Sequence, residues 1–230
     1  MQPIYKTIGI VGAGAMGRGI AQIAAQAGSQ VKLFDIQAAA ATQAAESLSA
    51  QWGKLVEKSK ITQAQATEYQ QRIHACSALQ DLSDCDLVIE AVVERLDVKQ
   101  TLLSEIEALV QPTAVLATNT SSLSVTAIAA ALKRPAQFAG FHFFNPVPLM
   151  KVVEVIAGLK TARAVCDDLA SFAQQMGHQA VQAQDTPGFI VNHAGRAYGT
   201  EALRIASEGI ADFATIDRIL RDQVGVKLGP

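Results

Sequence analysis

The chain has 230 residues, 50% of them hydrophobic and only 7 of them proline, enough to bury a core in one large domain or two small ones. With 19 basic and 21 acidic side chains it carries no field that would draw nucleic acid or an anionic membrane surface. Its 3 cysteines, Cys76, Cys85 and Cys166, lack Cys-x-x-Cys spacing, which argues against a disulfide framework or a metal site and for small buried thiols in a reducing compartment.

No apolar run approaches the roughly 20 residues of a membrane span. The first strand begins almost at Met1, where a signal peptide would stand, so the chain is expected to be cytoplasmic. That strand, Ile8 to Val11, runs directly into Gly12-Ala13-Gly14-Ala15-Met16-Gly17 and a helical pattern from Arg18 to Gly28. A Gly-x-Gly-x-x-Gly between strand and helix predicts a dinucleotide site. Gly12 permits the tight turn, Gly14 lets backbone approach a pyrophosphate, and Gly17 lets helix and strand pack closely. The helix N-terminus, including the amides of Ala15 and Met16, then favours phosphate. A second strand, Gln30 to Phe34, ends in Asp35, at the distance expected of a ribose-binding carboxylate that would repel a 2′-phosphate. The predicted cofactor is therefore NAD; a glycine-rich turn without a ligand is the alternative.

Helices are predicted over Ala38–Lys58 and Thr62–Gln71, a buried strand over Asp86–Ala91, and an amphipathic helix over Val98–Val110 closed by Pro112. A strand over Ala114–Thr118, a helix over Ser124–Leu132 and a strand over Gln137–Phe141 follow. Val152–Ile156 alternates like a late strand, Ala162–Met176 is helical, and Gln179–Gln182 is placed to close the sheet. The alternation implies an α/β fold, a Rossmann-type sheet paired largely in parallel. Asp185-Thr186-Pro187-Gly188 breaks the pattern, with Asp185 or Thr186 suited to cap a helix. Helices are expected through Ser207 and over Ala214–Gln223. The predicted domains are thus 1–185, which binds NAD, and 186–230, the start of an all-helical domain that Gly229-Pro230 leaves incomplete.

Chemistry concentrates near His142, in Gly140-Phe-His-Phe-Phe-Asn-Pro-Val-Pro148. The Asn-Pro-x-Pro segment forces a turn. If the chain reverses near Pro148, His142 and Glu154 lie about equally far either side of it and can face one another. Such a pair fixes the imidazole tautomer and equips His142 to take a hydroxyl proton while a hydride leaves for nicotinamide. A purely structural pair is the alternative. Thr118-Asn119-Thr120-Ser121-Ser122 follows a buried strand at the carboxyl edge where ligands bind in open sheets. Ser121 could donate to a substrate oxygen there, whereas Ser122 or Ser124 suits a helix N-cap. Asn192 falls in the first turns of the later helix, where an ordinary polar role is also open.

Five stretches together resemble the L-3-hydroxyacyl-CoA dehydrogenase family: Gly-Ala-Gly-Ala-Met-Gly, Glu90-Ala-Val-Val-Glu94, Thr-Asn-Thr-Ser-Ser, His142-Phe-Phe-Asn-Pro-Val-Pro-Leu-Met-Lys151 and Thr-Pro-Gly-Phe-Ile-Val-Asn. The resemblance implies that His142 is the base and Glu154 its partner, with Ser121 and Asn192 positioning the substrate. It also implies NAD contacts from Asp35, Glu94, Lys99 and Asn119, and coenzyme A contacts from Ser47 and Lys54, though Lys54 reads equally as a solvated lysine. The expected activity is NAD-dependent oxidation of an L-3-hydroxyacyl-CoA to the 3-oxoacyl-CoA, in a homodimer once the helical domain is complete. A dehydrogenase of another small hydroxy acid and a non-catalytic NAD-binding protein are the alternatives.

Overall fold

The computed structural model describes residues 3–37, 39–227 and 229–230, so the predicted helix start at Ala38 lies outside the described residues. The chain divides into two units, Met1–Thr186 and Pro187–Pro230. Among the described residues of the first unit, eight strands form one sheet in the order β3-β2-β1-β4-β5-β6-β7-β8. They are β1 (Thr7–Val11), β2 (Gln30–Phe34), β3 (Ile73–Cys76), β4 (Leu87–Glu90), β5 (Val115–Thr118), β6 (Phe138–Phe143), β7 (Val152–Ala157) and β8 (Gln179–Gln184). The strands from β3 through β6 pair in parallel, β7 runs antiparallel to β6, and β8 is parallel to β7.

Helices α1 (Ala15–Gln26), α2 (Ala40–Glu57) and α3 (Gln63–Gln71) precede β3; α4 (Leu96–Leu109) joins β4 to β5, α5 (Val125–Ala129) follows β5, and α6 (Arg163–Gln175) leads to β8. From β1 the chain steps one way across the sheet to β2, and from β4 the opposite way to β5. Right-handed crossovers therefore set α1 and α4 on opposite faces, and the reversal between β1 and β4 is the switch point of a doubly wound sheet. Every residue of β4, β5 and β6 is buried. Helices on both faces demand this, and it is why these strands read as largely apolar runs, with Glu90, Thr118 and His142 the polar exceptions. Ile20, Ile23 and Ala24 of α1 pack with Ile8, Ile10, Val31 and Leu33 of the sheet and with Leu48 and Trp52 of α2. Phe141, Phe143 and Val153 continue that core to Leu169 and Phe172 of α6.

Three features differ from the sequence reading. Strand β3 was not anticipated; it is the sheet edge, with His74 and Ala75 exposed, so it lacks the apolar run that marks its buried neighbours. Asp185 does not cap the helix that follows it. Its carboxylate accepts from the Val125 and Thr126 amides at 2.9 and 2.7 Å and from the Ser124 hydroxyl at 2.8 Å, closing the N-terminus of α5 from about sixty residues away. In the second unit, α7 (Val191–Ser207) begins at Ile190 without a side-chain cap. The second helix expected there divides into α8 (Phe213–Ile219), capped by Asp212, and a π-helical turn over Leu220–Val224.

Candidate functional site

The glycine loop leaves β1 with Gly12 at φ +100°, and a Cβ there would stand 2.6 Å from the Ala91 carbonyl oxygen, so only glycine takes this turn. At Gly17 a Cβ would lie 1.8 Å from the Gly12 oxygen, which is how closely α1 approaches the loop. Gly14 is the N-cap and supplies no side chain to the first amides of α1, and a Cβ on it would meet nothing within 4 Å. Uncapped amides beside open space, at the positive end of a helix, fit a diphosphate. Ala15 and Met16 open that helix.

Asp35 follows β2 at the same edge. One carboxylate oxygen accepts the Ala13 amide at 2.7 Å and the other the Gln37 amide at 2.9 Å. Each oxygen retains a second lone pair, which suits ribose hydroxyls. The residues present therefore fit a dinucleotide with an unphosphorylated ribose.

Across the switch point, Glu94 gathers the loop that follows β5. Its Oε1 accepts from the Thr120 hydroxyl at 2.6 Å, the Ser121 and Ser122 amides at 2.8 and 3.1 Å, and both serine hydroxyls. Partial burial pushes this carboxyl up, but the hydrogen bonds from Thr120 and Ser121 and the nearby Lys99 ammonium outweigh it, and its pKa is held at about 2. Lys99 is buried, with its ammonium on both oxygens of Glu90 and 3.3 Å from Glu94 Oε2. Asn119 accepts the Phe143 amide at 2.9 Å through its side-chain oxygen, tying the loop after β5 to the residue beside His142.

His142 and Glu154 are directly paired in the β6–β7 register, and Nδ1 lies 2.7 Å from Glu154 Oε2. Both are buried, and the imidazole packs on Phe144 with ring centroids 4.5 Å apart. With Nδ1–H donated to the carboxylate, Nε2 carries the ring lone pair. The turn between β6 and β7 is held from two sides. His178, also buried, points Nε2 at the Val147 carbonyl at 3.0 Å, and the Val147 side chain fills the space that a Cβ on Gly19 would occupy.

Gly12, Asp35, Glu94, Asn119, Ser121 and His142 thus share the carboxyl edge of the sheet, at or just beyond the ends of five strands. Ser47 and Lys54 stand seven residues apart on the exposed face of α2, where the Ser47 hydroxyl accepts from Arg18 at 3.2 Å. Asn192 lies in the first turn of α7, in the second unit. Sequence reasoning missed Glu90, Thr118, Thr120 and His178. The usable signal was Glu90 itself, an acid closing an apolar strand and therefore in need of a buried partner. Among the described residues, no cluster of His, Cys, Asp and Glu could hold a metal, and no helix is long and apolar enough to cross a membrane.

The glycine loop, the acid after β2 and the switch point define a doubly wound dinucleotide-binding domain. The profile of the 3-hydroxyacyl-CoA dehydrogenase NAD-binding domain matches residues 7–186, and that of the 3-hydroxyacyl-CoA dehydrogenase C-terminal domain matches residues 188–230. The chain belongs to the 3-hydroxyacyl-CoA dehydrogenase family, and its cofactor is NAD. It is 43% identical over 225 residues to a 3-hydroxyadipyl-CoA dehydrogenase of Escherichia coli, covering 98% of this chain and 47% of that protein. A probable 3-hydroxybutyryl-CoA dehydrogenase of Deinococcus radiodurans is 41% identical over 222 residues, covering 96% of this chain and 80% of that one. The crystal structure of a 3-hydroxybutyryl-CoA dehydrogenase from Escherichia coli superposes with a TM-score of 0.96 at 43% identity, over 98% of this chain and 48% of that chain. The chain therefore spans about half the length of these Escherichia coli relatives.

Proposed function

We propose that this chain takes part in NAD-dependent interconversion of an L-3-hydroxyacyl-CoA and its 3-oxoacyl-CoA, with His142 as the general base. The observation that carries this reading is the buried His142–Glu154 pair, set by strand register at the edge that also holds the glycine loop and Asp35. Bound NAD supplies the hydride acceptor. His142 Nε2 takes the proton of the 3-hydroxyl, and the Glu154 carboxylate on Nδ1 orients the ring and stabilises the imidazolium that forms. In the reverse direction the imidazolium returns that proton to the oxygen of the 3-oxo group.

Ser121 and Asn192 hold and polarise the substrate oxygen in this reading. The glycine loop, Asp35, Glu94 and Asn119 hold the cofactor, with Lys99 acting behind Glu94. Ser47 and Lys54 serve the coenzyme A moiety, a role supported by their common exposed face on α2. Cytoplasmic residence is in keeping with three free cysteines. A homodimer is in keeping with the exposed Tyr198, Leu203, Ile210 and Phe213 of the second unit.

The test is acetoacetyl-CoA-dependent oxidation of NADH by the chain and by its H142Q variant. Loss of turnover by about 10²- to 10⁴-fold, with NAD affinity retained, is expected. Near-full activity in the variant would sink the assignment of His142. Turnover of free acetoacetate at a rate equal to that of its CoA ester would sink the substrate class.

A further inference from the structure

Behind Glu94 stands a buried charge network that proton transfer at His142 does not use. β4 ends in Glu90, fully buried where a central strand is otherwise apolar. The Lys99 ammonium lies 2.9 and 2.8 Å from its two oxygens, Thr118 donates to it from β5, and the Val92 amide adds a bond at 3.2 Å. Burying an ion pair is costly and is weak support for stability alone, so a positioning task is the better account of it. Lys99 also lies 3.3 Å from Glu94. Two carboxylates thus share one ammonium, and one negative charge is left over. Of the two, Glu94 is the one that reaches solvent, its side chain being 36% exposed.

Place on the sheet decides what that charge meets. The glycine loop after β1 fits the diphosphate, and Asp35 after β2 fits the adenosine ribose. The rest of the dinucleotide accordingly runs the other way across the switch point, towards β4 and β5. That half carries a ring that is cationic when oxidised and neutral when reduced. We infer that the Glu90–Lys99 pair fixes Glu94 as an uncompensated negative charge that makes the site favour the oxidised cofactor over the reduced one. This rests on the reading above that the chain binds NAD. The donors from Thr120, Ser121 and Ser122 keep the carboxylate from swinging away. They also make Glu94→Gln a usable probe, since the amide oxygen still accepts from them while the charge and the acceptor facing Lys99 are gone.

The experiment is calorimetric titration of the whole chain with NAD⁺ and, separately, with NADH. In E94Q the Kd for NAD⁺ should rise about fivefold more than that for NADH, about 1 kcal/mol and the size of a charge–charge effect screened by water. E90Q frees Lys99 to neutralise Glu94 and should shift the ratio of the two Kd values in the same direction. A merely structural Glu90 would leave that ratio unchanged. Should E90Q fail to fold, E94Q decides alone. Equal weakening of both forms in E94Q, or no change in either, would overturn the charge bias and leave the NAD reading standing. A parent chain that binds neither form would overturn both.

Discussion

His142 and Glu154 depend on one another through a buried hydrogen bond, and this sets what substitution does to each. Glu154→Gln keeps an acceptor near Nδ1 but withdraws the charge that stabilises the imidazolium. Turnover should therefore fall by about 10²-fold or more while NAD affinity holds, as steady-state kinetics beside calorimetry would show. Glu94 carries a pH signature of definite sign. A carboxyl whose pKa is about 2 in the folded chain stabilises the fold above the ordinary carboxylate range and loses that contribution as pH falls through about 2. The stability difference between parent and E94Q should be constant from about pH 5 to 8 and shrink from about pH 4 downward. Fluorescence of the single tryptophan, Trp52, fully buried in α2, reports that transition.

Among the elements, α5 is short and owes its start to residues far apart in sequence. Ser124 accepts the Ala127 amide at 3.1 Å, while Asp185 takes the amides of Val125 and Thr126. Asp185→Ala should cost about 1 kcal/mol, a fall of roughly 2 to 4 °C in a thermal melt of a chain this size. Ser124 was legible as a cap because capping is local, and Asp185 was misread because its partners lie about sixty residues away. The same contrast runs through the fold. The strands buried on both faces, the glycine loop and the opposition of His142 and Glu154 across the Pro148 reversal all follow from short-range pattern. Edge strand β3 and the Glu90–Lys99 pair do not, since exposure hides the first and only the packing of α4 against the sheet reveals the second. At the loop itself, Gly17→Ala would force α1 away from the Gly12 carbonyl. NAD affinity should drop by at least about tenfold in titration, because the amides that meet the diphosphate move with the helix.

For the molecule as a whole, the cofactor edge is built from the ends of several strands that the sheet keeps in mutual register. Ligand binding therefore stabilises the first unit as a body. NAD at about one hundred times its Kd should add about 2.7 kcal/mol and raise the Trp52-detected melting temperature by roughly 5 to 10 °C, whereas a Gly17→Ala chain at the same NAD concentration should show no more than about half of that rise. One contact within this edge bears on any attempt to exchange the coenzyme. Asp35, the acid that would turn away a 2′-phosphate, also accepts the Ala13 amide inside the glycine loop. Replacing it with a neutral or basic residue to admit NADP would untie the loop at the same stroke. Discrimination and loop order are a single trait here, and a successful redesign has to bring a new anchor for Ala13 along with the new phosphate pocket.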